Sequence, residues 1–178
     1  MGYKDENWNT PGNWNNGSLP LANEEIQINS STHDPVVTSA SVVDVQDLIL
    51  NQGTSLTVES GGILAIKGNL TNNGSITVKR QPEAAGKYSM IGSPLSNADI
   101  SDFGADILVA YDPLTGDFIE ATGTAFPGTG YFTAFTGVNP EISQTGTPNT
   151  GEINVPLISS LGPTSSYNLV ANPYTAPI

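Results

Sequence analysis

Five aspartates form the one local pattern in this sequence that suits metal chemistry. Asp99, Asp102 and Asp106 fall in one predicted loop, and Asp112 and Asp117 in another. Carboxylate oxygens on loops are hard ligands of the kind calcium takes. Their spacing matches neither the helix–loop–helix calcium loop nor the nonapeptide calcium repeat, so solvated acids on separate turns are the competing reading. Aromatic side chains offer a second chemistry, stacking on the apolar face of a sugar ring. Trp8, Trp14, Tyr111 and Tyr131 are the candidates for it. The two tryptophans have a competing structural role as a lid over exposed core.

Catalytic constellations are missing. There is no Cys, and His33 is the single His. Thiol chemistry, disulfides, His-based metal clusters and a Ser–His–Asp triad within one chain are therefore excluded. Carboxylate pairs such as Asp44 and Asp47 occur, but acids spaced along turns are usually solvated, and a glycosidase needs its two carboxylates across a cleft. The chain is read as a non-enzyme with no catalytic residue and no cofactor, calcium being the one ion its acids would suit.

Charge and composition narrow the class further. The 178 residues hold 17 acidic and 5 basic side chains, for a net charge of −12. So few Lys and Arg exclude a nucleic-acid partner, whose phosphates need them. No apolar run approaches the roughly 20 residues of a membrane-spanning helix. Met1-Gly2 leads straight into polar sequence, which reads as a start from which a leader has been removed. Abundant Thr, Ser, Asn and Gly suit pleated strands and tight turns and exclude a helix bundle.

The elements that must position these residues are written as a repeat. Ile26 and Ile28 are followed by Leu48 and Leu50 and then by Leu70, 22 residues apart each time. Val37, Val58 and Val78 form a second track, and Val43/Val45 with Leu64/Ile66 a third. Three interleaved tracks with one period predict three strands per turn of a parallel β-helix, each strand stacking on its equivalent one rung earlier. Polar residues between the apolar ones, as in Leu56-Thr57-Val58, send alternate side chains inward and outward. Asn51-Gln52-Gly53, Gly61-Gly62 and Asn72-Asn73-Gly74 punctuate the rungs, as residues that accept the positive φ of sharp corners. An antiparallel meander, with Asn73-Gly74 as a hairpin turn, is the alternative. So short a stack has two open ends that something must cover. Residues 1–23, with both tryptophans, are assigned as the N-terminal cap and residues 24–82 as the β-helix.

After Val78 the period stops. Residues 83–178 are read as a β-sandwich-like module, truncated at its C-terminus. Its predicted strands are Tyr88–Ile91, Ile107–Tyr111, Phe118–Glu120, Tyr131–Phe135, Glu152–Leu157 and Tyr167–Ala171. A phrase occurs twice, as Tyr88-Ser-Met-Ile-Gly-Ser-Pro94 and Tyr167-Asn-Leu-Val-Ala-Asn-Pro173, and predicts two equivalent strands each ended by Pro. From Tyr88 onward there are eight acids and no Lys, Arg or His. The fold class is all-β, a short right-handed parallel β-helix of about two to three rungs packed end-on against a small antiparallel sandwich-like module.

Particular residues also carry a resemblance. Trp8, Asn13-Trp14, Gly17 and Pro20 before Ile26-Gln27-Ile28 resemble the Trp-Asn-Trp-Gly-Pro opening of Bacteroidota-type secreted surface proteins. Residues 56–74 resemble the short β-helix repeat of those proteins. Ile91-Gly-Ser-Pro-Leu-Ser-Asn97, Gly128-Thr-Gly-Tyr131 and Asn168-Leu-Val-Ala-Asn-Pro-Tyr174 resemble the module that usually follows. The resemblance implies export by the type IX secretion system and residence at the cell surface. It also implies that the chain is part of a larger protein, since the family's sorting domain is not in this sequence.

The expected function is a non-catalytic extracellular structural or adhesion module of a secreted or cell-surface bacterial protein. The alternatives are an accessory carbohydrate-binding module of a polysaccharide-degrading enzyme and a self-assembling surface polymer subunit. The expected partners are a host or environmental surface, a glycan, or neighbouring domains.

Overall fold

The alternating apolar residues of the first half fold as short strands that stack in parallel. The structure is a computed structural model that describes residues 4–83, 86–159 and 167–178. The chain is all-β. In the first half β1 is Glu25–Ile28, β2 Val36–Val37, β3 Val42–Val45, β4 Asp47–Leu50, β5 Ser55–Val58, β6 Ile63–Ile66, β7 Leu70–Asn72 and β8 Ser75–Arg80. Strands β1, β4 and β7 pair in parallel with Ile26, Leu48 and Leu70 in one row. Strands β2, β5 and β8 do the same with Val37, Val58 and Val78, as do β3 and β6 with Val43 against Leu64. These are the three tracks of the sequence in the same registers.

Leu48, Leu50, Leu56, Val58, Leu64, Ile76 and Val78 are buried, and Ile49, Thr57, Ala65 and Thr77 on the alternate face are half-buried. A slip of one residue would reverse both sets. Ile66 and Leu70, expected inside, are only half-buried. Among the described residues the third track has two strands and β7 is the last of its own, so neither residue has a further rung above it.

Both ends of the stack are covered by other parts of the chain. At the first rung the Trp8 amide donates to the Val36 carbonyl (3.0 Å), and the Val36 amide to the Glu6 carbonyl (2.7 Å). This places the Trp8 indole, 3% exposed, against the core. The fully buried Asn13 ties the cap together. It accepts from the Lys4 and Asp5 amides and donates to the Asp5 carboxylate and the Asn7 carbonyl. At the last rung the cover comes from the second half of the chain.

There β9 is Tyr88–Ile91, β10 Leu95–Ser96, β11 Ala98–Asp99, β12 Ile107–Asp112, β13 Asp117–Glu120, β14 Thr124–Ala125, β15 Tyr131–Ala134 and β16 Ile142–Pro148. β16 pairs antiparallel with β8, Gln144 opposite Val78, and β10 pairs with β16 in turn. The result is a five-stranded sheet in the order β10-β16-β8-β5-β2. The Thr175 hydroxyl donates to the Leu64 carbonyl and so covers β6. β13, β12, β15 and β9 form a separate four-stranded antiparallel sheet, and β11 pairs with β14. Leu95, Phe103, Tyr131 and Ile142 join the core of the first half in one cluster.

Three expectations for the second half change. Glu152–Leu157 forms no strand. Pro156 removes a donor from it, and Ile153 and Val155 are half-buried in irregular chain. Tyr167–Ala171 makes only an isolated bridge, Val170 to Thr129, so the repeated phrase does not give two equivalent strands. Conversely, Ile142–Pro148 is a seven-residue strand with no apolar alternation to announce it. Its pairing is set by the open edge of β8, whose free amides and carbonyls need partners.

β16 also buries an amide. Gln144 is 2% exposed, and its Nε2 has no hydrogen-bond partner among the described residues. A buried donor without a partner costs about 1–3 kcal/mol. Gln144→Met, which keeps the volume and removes the amide, is expected to stabilise the fold by about 1 kcal/mol. Urea denaturation measures it, and a lower midpoint for the variant would show that the amide is satisfied.

Candidate functional site

The five aspartates offered for calcium do not come together. Asp99 caps the short 3-10 helix Ile100–Phe103: its carboxylate accepts from the Ser101 amide (2.8 Å) and hydroxyl (2.7 Å), while Asp102 accepts from the Asp99 amide (3.0 Å). Asp106 accepts from the Thr136 amide and hydroxyl, at 2.7 and 2.9 Å. Asp112 accepts from the Leu114 amide and the Thr115 hydroxyl, and Asp117 begins β13 beyond that turn. Each of the first four is engaged with its own turn or neighbouring loop. Among the described residues no three acidic or His side chains gather as a metal group.

These contacts hold several carboxylates below the ordinary aspartate range. The Asn13 amide does so for Asp5, Ser101 for Asp99, and the Thr136 backbone and side chain for Asp106. A carboxylate with a depressed folded-state pKa contributes stability that is fully present above its unfolded value of about 3.9 and is lost as pH falls through the lower folded value. Wild type is therefore expected to exceed Asp5→Asn in melting temperature at pH 7, and the gap should close as pH drops below about 4. Comparing the two proteins cancels the general relief of self-repulsion in acid. A gap constant down to pH 2 would reject the assignment.

The four candidate sugar-stacking aromatics divide. Trp8 and Tyr131 are each 3% exposed and present no platform. Tyr131 packs on Phe103, its ring centroid 5.6 Å away, and its hydroxyl accepts from the Phe126 amide. Trp14 is half-buried. It meets Trp8 edge to face at 4.9 Å, donates its indole N–H to the Trp8 carbonyl (3.0 Å), and lines a cleft of about 280 Å³ beside Glu25 and Gln27 of β1. Tyr111 is half-buried on the outer face of the four-stranded sheet.

That outer face is apolar. Val109, Phe132 and Met90 lie in one cross-strand row, and Tyr111 with Phe118 in the next. Ile107 extends the patch, with Ile107, Phe118 and Met90 exposed at 45%, 54% and 68%. Phe118 stacks edge to face on both Tyr111 and Phe132. The opposite face of the sheet carries Leu108, Ala110, Tyr131 and Ile91 onto the core. The sheet is thus apolar on both sides, although among the described residues only the core side is covered, residues 167–169 meeting the outer face beside Tyr111, Phe118 and Phe132. The alternation of Ile107, Val109 and Tyr111 with Leu108 and Ala110 was a readable signal, since a strand apolar at successive positions is suited to burial on both faces.

The cations show a further asymmetry. Lys67 pairs with Asp44 (2.8 Å), Lys79 with Glu59 (3.2 Å) and Glu141 (3.7 Å), and Lys87 with Glu83 (3.8 Å). Glu59 raises the Lys79 pKa above its ordinary value. Glu141 thus finds a basic partner outside its own half of the chain. Arg80, the sole Arg of the sequence, makes no ion pair among the described residues. It follows Ile76 and Val78 on the inward face of β8, pairs in register with Ile142, and is half-buried. Burial pushes its guanidinium pKa down. Its one hydrogen bond among the described residues is a long contact to the Lys79 carbonyl, at 3.5 Å. Arg80 lines a cavity of about 690 Å³ at the seam between β8, β9 and residues 170–174. The inward phase of Ile76, Val78 and Arg80 was the available sequence signal for this position.

Residues 1–71 match the family model of a domain of unknown function, DUF8693. The matched span covers the cap and β1 to β6 and ends within β7. No curated protein and no solved structure matches the chain.

Proposed function

We propose that this chain is a non-catalytic structural and adhesion module of a larger secreted or cell-surface bacterial protein. In this reading the three parallel ladders are a short right-handed β-helix, capped by the tryptophan segment and packed end-on against a sandwich-like sheet. The resemblance of Trp8–Pro20 and of residues 56–74 to Bacteroidota-type surface proteins supports an extracellular location and type IX export. Asp99, Asp102, Asp106 and Asp112 are each engaged with their own turn or a neighbouring loop, which supports reading them as structural groups.

The observation that carries the adhesive part is the apolar face around Phe118, Phe132 and Ile107, which the described residues leave partly exposed. Contiguous apolar surface of this kind marks interaction sites, whereas scattered exposed residues do not. The experiment displays the chain on inert beads and measures adhesion to hydrophobised and to hydrophilic glass. Phe118→Ser combined with Ile107→Thr is expected to remove most of the adhesion to the hydrophobic surface with a moderate fall in melting temperature, since both side chains are about half exposed but Phe118 gives up its edge-to-face contacts with Tyr111 and Phe132. Unchanged adhesion in the double variant would remove the face from the function.

A further inference from the structure

We propose that the seam cavity lined by Arg80 is a binding site for a saccharide that carries a single carboxylate. The site meets the apolar face at Met90 and at Tyr88, which stands beside Ile107 and Phe132, and the inference does not depend on the adhesive reading.

The argument begins with the guanidinium. Arg80 sits in an acidic chain of net charge −12, and no carboxylate pairs with it among the described residues. Its position on the inward face of β8 takes the side chain partly out of water. A desolvated charge without a partner is costly, and the fork of guanidinium N–H donors fits a planar carboxylate in a bidentate manner. The cavity beside it has a volume of about 690 Å³, within the range of small-molecule sites, about 300–1,000 Å³.

The lining sets the rest of the ligand. Tyr88 and Tyr174 supply aromatic surface, Gln81 an amide and Ser89 a hydroxyl, while the Asn172 amide is held in its own turn by the Ala176 carbonyl and the Tyr174 amide. Aromatic surface with an amide and a hydroxyl beside a cation suits a hydroxylated ring bearing an acid. Strand addition by a peptide along β9 is hindered near both ends of the strand. The Glu83 amide donates to the Ser89 hydroxyl at 2.8 Å, and Ala171 lies against Gly92. Glu83 also lines the cavity, with Lys87 beside it. With eight acids from Tyr88 onward, a polyanion would be repelled, which limits the ligand to one negative charge. At physiological salt the screening length of about 8 Å lets such a ligand reach Arg80 despite the acidic surface.

Titration calorimetry of the whole chain tests this with three probes: sialyllactose, its neutral counterpart lactose, and a short peptide containing one glutamate. Sialyllactose is expected to bind and to raise the melting temperature by mass action, and lactose to do neither at the same concentration. Arg80→Lys, which keeps the charge and stem but loses the fork, is expected to weaken binding by about tenfold. Arg80→Met should abolish it. If Arg80→Met does not fold, the Arg80→Lys comparison still decides. Equal binding of lactose, undiminished affinity in Arg80→Lys, or binding of the peptide in place of sialyllactose would each overturn the proposal. So would the failure of sialyllactose to bind.

Discussion

Trp8→Ala is expected to destabilise the fold by roughly 3–5 kcal/mol, enough to unfold or aggregate a domain of ordinary stability. The indole is 3% exposed and joins the same apolar cluster as Ile26, Ile28 and Val37. Its removal opens the first rung, because the Glu6–Trp8 backbone that pairs with Val36 is positioned through the same residue. Trp14→Ala should cost less, about 1–2 kcal/mol. Its ring is half-buried, and what it loses is the edge-to-face contact at 4.9 Å and the hydrogen bond to the Trp8 carbonyl. Two tryptophans were legible as a cap, yet their sequence alone did not rank them. The ranking follows from Trp8 donating its amide to the Val36 carbonyl beside the Asn7–Val36 bridge, while Trp14 sits beyond the 3-10 turn Pro11–Asn13. Urea denaturation of both variants, with iodide quenching of the remaining indole, separates the two contributions. A Trp8→Ala protein with the wild-type midpoint would remove the cap role.

The registers of the parallel ladders were readable because stacking demands like residues at like positions. Ile26 over Leu48 over Leu70 is both a sequence period and a hydrogen-bonded row. No such constraint marks β16. Ser143, Thr145 and Thr147 face outward, and the inward positions hold Ile142, Gln144 and a glycine. Its identity as a strand lies in β8, more than 60 residues earlier, and in the unpaired edge that β8 leaves. The apolar outer face of the four-stranded sheet was present in the sequence most plainly as the uninterrupted apolar run Ile107–Tyr111 of β12. Whether such a run is covered on one side or two is decided by elements outside the strand, so the exposure of Phe118 and Met90 needed the fold. The aspartates of the second half lie apart among the described residues for a related reason. Spacing put them in loops, but Asp and Asn in loops more often bond their own backbone than a shared ion. Asp99 and Asp112 do this through the amides of Ser101 and Leu114.

Gly74→Val is expected to be the most damaging substitution on the surface of the stack, at about 3 kcal/mol. The turn Asn72-Asn73-Gly74 was expected to supply positive φ, as Gly53 and Gly61 do with φ of 78° and 84°. Gly74 is not in that region. It is there because the rungs approach too closely for a side chain: a Cβ at Gly74 would overlap the Thr54 carbonyl oxygen and crowd the Asn51 carbonyl. The Ser75 amide donates to that same Thr54 carbonyl at 3.0 Å, so the obstacle is part of the inter-rung ladder and cannot turn aside as a flexible side chain would. Gly62 occupies the equivalent place one corner on, where a Cβ would come within 2.7 Å of the Val37 carbonyl. Gly53→Ala meets no atom within 4 Å and suffers only the cost of its backbone angle, about 1 kcal/mol. The expected order in melting temperature is therefore wild type, then Gly53→Ala, then Gly74→Ala, then Gly74→Val. The reverse order for Gly53→Ala and Gly74→Ala would mean that backbone angle, and not the closeness of successive rungs, limits what these corners accept.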